Sequence, residues 1–193
     1  MNRALIPTAA ASFALGCVVG WFSAVGAWFF QAHQLMDSVT AASDKLQVHC
    51  FAKKYSWQFH YTGPDGKLGK TRHPLISATN PVGLDLSDPH SKDDFVANEL
   101  VLPTGTWIEL ITGSADVIHA LGEFNSDMKV DATPGVTERL VFRTPAHPVS
   151  GTLRCVQLCG PGFKDHHASY RYVTTSDFTH WQSAQPPKPI GPK

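Results

Sequence analysis

A chain of 193 residues, 42% hydrophobic and 10% aromatic, can bury one core of ordinary size, so a single domain with peripheral segments is expected. Sixteen Lys and Arg balance sixteen Asp and Glu, which excludes the one-signed basic surface of a nucleic-acid binder. Four cysteines are too few for a disulfide scaffold; Cys17 lies in an apolar run, and only Cys155 and Cys159 are close in sequence.

From Arg3 to Asp37 no Asp, Glu, Lys or Arg intervenes, and Ala4 to Phe30 is dominated by Ala, Val, Phe, Trp, Leu and Gly. A bilayer span needs roughly 20 apolar residues, so residues 1–33 are expected to form a retained transmembrane anchor. A secretory signal cleaved near Ala24-Val25-Gly26 is the competing reading, but the apolar run exceeds the usual core of roughly 7–15 residues. Either way the rest of the chain is placed outside the cytoplasm.

After a linker over 34–45 the pattern becomes β. Leu46 to Phe51 and Tyr55 to Tyr61 alternate, with Trp57, Phe59 and Tyr61 spaced as core residues, and Gly63-Pro64-Asp65-Gly66 supplies turn chemistry. Thr79 to Phe95 alternates little and reads as a long excursion. Further short strands are predicted at Glu99–Pro103, Trp107–Thr112, Glu138–Arg143 and Gly151–Cys155, as a sandwich requires. Residues 46–175 thus form the expected domain, and 176–193, rich in proline towards the end, a flexible tail.

The segment Cys155-Val156-Gln157-Leu158-Cys159-Gly160-Pro161-Gly162-Phe163-Lys164-Asp165-His166-His167 has the residue types of a soft-metal site. Three readings stay open on these residues alone. The cysteines could form a disulfide, they could hold tetrahedral zinc with two histidines, or they could bind copper.

Tyr55-Ser56-Trp57-Gln58-Phe59-His60-Tyr61, Asn98-Glu99-Leu100-Val101-Leu102-Pro103, Asp116-Val117-Ile118-His119, Met128-Lys129-Val130-Asp131-Ala132-Thr133-Pro134-Gly135 and Cys155-Val156-Gln157-Leu158-Cys159-Gly160 resemble, in this order, cytochrome c oxidase subunit II. The resemblance implies an all-β, cupredoxin-like Greek-key sandwich outside the membrane, behind one N-terminal transmembrane helix. It also implies a binuclear copper centre, CuA, that takes electrons from cytochrome c or a similar donor and passes them to haem in subunit I. Carried over, His119, Cys155 and Cys159 match the family's ligands directly. Gln157 stands where the family usually has glutamate; its backbone carbonyl still serves as a ligand, but it brings no carboxylate to the family's magnesium site, so the resemblance gives no support for magnesium. Tyr55 stands where the family has the aromatic residue that receives electrons, with Trp57 two positions on.

The family's last ligands, a histidine four residues after the second cysteine and a methionine three beyond, fall without gaps on Phe163 and His166. Three inserted residues restore the histidine at His166 and put Ser169 in the methionine place. His167, one residue on, points the other way in an extended segment. Most members carry two membrane helices, and related subunits serve oxygen reductases and some nitric oxide reductases. A copper-free structural subunit and an anchored copper carrier are the alternatives. The resemblance places the protein in the cell inner membrane, single-pass, with its C-terminal domain on the periplasmic side.

Overall fold

Alternation along β1 (Leu46–Lys53) turns Val48, Cys50 and Ala52 into the main core, all 0% exposed, and gives Phe51 to a smaller cluster with Val82, Leu84 and Val96 on the opposite face. A tight connection leads to the antiparallel β2 (Ser56–Tyr61), whose Trp57, Phe59 and Tyr61 line the same main core. The computed structural model describes residues 19–34, 45–123 and 128–185.

The first sheet continues with β3 (Phe95–Ala97) beside β2, and with β5 (Trp107–Ser114) parallel to β1 and followed by β8 (Glu138–Arg143). The second sheet runs β4 (Leu100–Pro103), β10 (His167–Val173), β9 (Val149–Cys155), β6 (His119–Glu123) and β7 (Lys129–Ala132). Here β4 and β10 are parallel and the other pairings antiparallel. Leu121, Leu153, Ala168 and Tyr170 from this sheet meet Ile108, Leu110, Trp57 and Phe59 from the first, so the core lies between two faces that each alternate. The β sandwich expected from the sequence is the observed architecture.

The excursion between β2 and β3 is held by polar contacts in place of strand pairing. Asp94, buried, accepts from His60 Nε2 at 2.6 Å, from Gly63 N at 3.0 Å and from Gly69 N at 2.7 Å. Its weak alternation follows, because its order comes from side-chain-to-backbone hydrogen bonds of Asp94, Asp88 and Asn80, from Val82 and Leu84 packed on Phe51, and from short turns at His73–Leu75 and Pro89–Ser91.

One expectation changes. Residues 176–183 are not a flexible tail: a helix, Thr175–Ser183, begins at the Thr174 cap, which accepts from Asp177 N, and buries Phe178. Trp181 of that helix sets its edge against Tyr61 and Phe95, ring centroids 5.1 and 5.5 Å away. Two aromatic residues three apart anchor it, a signal too short to stand out as amphipathic. The proline-rich end from 186 lies outside the described residues.

At the other end, residues 19–34 are helical and expose Trp21, Phe22, Trp28, Phe29 and Phe30. Among the described residues no helix is long and apolar enough to cross a membrane. The expected anchor falls partly, and the linker almost wholly, outside the described residues.

Candidate metal centre

β6 and β9 are antiparallel neighbours, with Leu121 opposite Cys155, so the start of one strand and the end of the other meet at one end of the sandwich. His119 opens β6 and Cys155 closes β9. The loop after Cys155 is tied back at both ends: Val156 N donates to Ala120 O and Cys155 N to His166 O, each at 2.9 Å. Two neighbouring strand ends and one loop thus bring four donor side chains to a single place.

His119, Cys155, Cys159 and His166 are all buried, and one ligand atom from each lies within 4.8 Å of the others. Cys155 Sγ is 3.6 Å from Cys159 Sγ and 3.8 Å from His119 Nδ1, and Cys159 Sγ is 3.7 Å from His166 Nδ1. Both thiols are free. The Gln157 carbonyl lies 3.2 Å from Cys155 Sγ, on the same cluster, while the Gln157 side chain is exposed.

The histidines present the right nitrogen for different reasons. Asp116 Oδ1 sits 2.8 Å from His119 Nε2, so a proton donated there leaves the lone pair on Nδ1, facing the sulfurs. Burial raises the Asp116 carboxyl, but hydrogen bonds from His119 and from the Lys54 and Val117 amides outweigh it and hold the group below its usual range. His166 Nε2 is buried and makes no well-formed hydrogen bond among the described residues. Burial pushes its imidazole down to about 4, with the Ser56 backbone opposing and His119 adding to the shift, so it is neutral at pH 7 and free to donate through Nδ1.

The Cys159 thiol is in the opposite condition. Burial, then the Cys155 neighbour, pushes Cys159 up to about 11, so a thiolate at neutral pH requires a cation beside it. Two buried thiols and two buried imidazole nitrogens, with the Gln157 carbonyl oxygen beside them, fit a soft metal.

Aromatic rings surround the histidines. Trp57, 2% exposed, stacks on His166 and presents an edge to His119 at 6.0 Å. Tyr55 is half-buried with its ring 6.2 Å from that of His166. Phe163, at the ungapped histidine place, is packed against the core, and His167 is exposed. Ser169 is exposed too, on the outer face of β10 opposite Thr152, because Ala168 and Tyr170 take the inward positions. The weak-ligand place given to Ser169 by spacing is therefore not filled by its side chain. Asp116 belongs to the Asp116-Val117-Ile118-His119 motif, but the sequence alone does not reveal its hydrogen bond to His119; its place three residues before the histidine is the available signal.

Residues 46–174 match the family described as cytochrome c oxidase subunit II, periplasmic domain. The alternative cytochrome c oxidase subunit 2 of Bradyrhizobium diazoefficiens is 31% identical over 149 residues, which cover 76% of this chain and 53% of that protein. The heme-copper oxidase subunit 2 of Aeropyrum pernix is 39% identical over 66 residues, 34% of this chain and 28% of the relative. The chain thus spans about half the length of the first relative and less of the second. In fold it is similar to the crystal structure of the periplasmic domain of subunit II of cytochrome oxidase of Bradyrhizobium japonicum, with a TM-score of 0.50 and 24% identity over 72% of this chain and 91% of that one. The chain belongs to the cytochrome c oxidase subunit II family.

Proposed function

We propose that the chain is the electron-accepting subunit of a membrane haem-copper reductase. In this reading it takes electrons from cytochrome c or a similar donor and passes them through a binuclear copper centre to haem in subunit I. Cys155, Cys159, His119 and His166, with the Gln157 backbone carbonyl, would hold the copper ions. The observation that carries this reading is the convergence of two imidazole Nδ1 atoms and two Sγ atoms within 4.8 Å, all on buried residues. Family membership supports the choice of copper over zinc.

When bound, such a copper pair supplies a one-electron relay with little reorganisation. The chain's own residues prepare for it. Both cysteines would ligate as thiolates, with the proton of the buried Cys159 thiol released to solvent, while His166 is already neutral. Asp116 holds His119 in the donating orientation, and Trp57 fixes the plane of His166. Burial of all four side chains keeps water away from the sulfurs.

The apolar stretch from Ala4 to Phe30 supports an inner-membrane anchor over 1–33, a linker over 34–45 and a domain over 46–175 on the periplasmic side. Loading the reduced full chain with copper tests the site: two ions per chain and a mixed-valence signal shared between them are expected. One ion or none would remove the reading.

A further inference from the structure

The loop between Cys159 and His166 carries two glycines pressed against Tyr55. A Cβ on Gly162 would fall 2.5 Å from Tyr55 Cε2, and one on Gly160 would fall 2.8 Å from the Tyr55 hydroxyl. Gly160 also adopts a φ of +137°, which side-chain-bearing residues rarely reach. From these glycines the backbone tightens stepwise towards the histidine. Phe163 N donates to Gly160 O at 3.1 Å, Asp165 N to Gly162 O at 3.1 Å, and His166 N to Phe163 O at 3.2 Å. Tyr55 itself meets the His166 ring edge-on, with 73° between the planes.

Six residues separate Cys159 from His166, and ordering a connection of that length costs conformational entropy. Close backbone approach to a flat ring offsets that cost, because it excludes water and leaves the loop few alternatives. The Tyr55 ring is reached by both ends of Gly160-Pro161-Gly162, and the hydrogen-bonded turns run from there into His166.

We propose that Tyr55 is a positioning residue: its ring seats Gly160-Pro161-Gly162, and that seating fixes where the enlarged loop delivers His166. The proposal rests on the reading of His166 as a ligand only for its consequence in metal binding; the seating itself is a property of the metal-free chain. It gives Tyr55 a task separate from receiving electrons.

Amide hydrogen exchange on the metal-free full chain tests it. In Tyr55→Ala the amides of Phe163, Asp165 and His166 should exchange about tenfold faster, while those of paired residues in β1 and β5 stay protected and show that the sandwich is folded. Tyr55→Phe keeps the ring and should keep the protection. Gly162→Ala, which drives a methyl group into the ring, should lose it with Tyr55 still present. In copper competition against a chelator, Tyr55→Ala and Gly162→Ala should bind more weakly than the unsubstituted chain, and Tyr55→Phe should match it. Unchanged exchange in Tyr55→Ala, or no protection of the three amides in the unsubstituted chain, would overturn the proposal. Failure of the unsubstituted chain to take two coppers would instead strike the reading of the site, and the exchange result would still decide the seating.

Discussion

Trp57 lies nearly parallel to His166, with 4.6 Å between ring centroids and 23° between planes. The same indole turns its edge to His119, and the two histidine rings stand 4.8 Å apart at 87°. One core side chain therefore fixes the planes of both candidate imidazole ligands, which joins the packing of the sandwich to the geometry of the site.

Replacing Trp57 should separate size from polarity. Trp57→Ala leaves a cavity in the main core and should cost about 3–5 kcal/mol in urea unfolding of the full chain. Trp57→Phe keeps a ring against His166 and removes an indole N–H that is buried without a partner. It should cost less than about 1.5 kcal/mol and retain copper binding. Equal losses for the two variants would contradict the stacking role.

Asp116→Asn should leave the fold intact and loosen His119, whose Nε2 it faces. Partners of this kind typically contribute roughly 10–100-fold in metal affinity. Copper competition against a chelator should show a loss in that range with stoichiometry unchanged. An affinity equal to that of the unsubstituted chain would mean that His119 needs no orienting partner.

Stability of the metal-free chain should fall as the medium is acidified below neutrality. Burial, then the facing His60, pushes the His49 imidazole down to about 4 from its ordinary 6.5. Between those values the unfolded chain binds the proton and the folded chain does not. The contribution is therefore complete above pH 6.5 and is lost as pH falls towards 4, at up to about 1.4 kcal/mol per pH unit for one group. His166, lowered in the same way, adds to this slope until metal occupies it. Urea unfolding at several pH values should show a shallower slope in His49→Gln, and an identical slope would remove His49 as a cause.

The helix Thr175–Ser183 should behave as part of the domain. Phe178 is 6% exposed within the main core, so Phe178→Ala should cost about 3 kcal/mol, read from the unfolding midpoint. A flexible end would give no change.

β1 and β2 were legible because Val48, Cys50 and Ala52, and Trp57, Phe59 and Tyr61, announce a period of two. β3, β6, β7 and β10 were not read as strands: β3 is three residues long, β7 is four, and β6 is buried on both faces, so it shows no alternation. The helix after β10 was not legible, since Phe178 and Trp181 are its only large apolar residues and prolines follow closely. At the site, the order of the motifs picked out His119, Cys155 and Cys159, and spacing with a gap picked out His166. Spacing failed at Ser169, where the pairing of β10 with β9 decides which residues face inward. The contact of Tyr55 with Gly160 and Gly162 links segments more than a hundred residues apart, and no local pattern encodes it.

The decisive measurement is copper stoichiometry together with electron paramagnetic resonance of the oxidised, copper-loaded full chain, its thiols reduced before loading, unsubstituted and as His166→Ala and His167→Ala. The account predicts two coppers per chain with one unpaired electron shared between them, the same result in His167→Ala, and loss or conversion of the shared signal in His166→Ala. One copper or none in the unsubstituted chain, or a signal that survives His166→Ala unchanged, would contradict it.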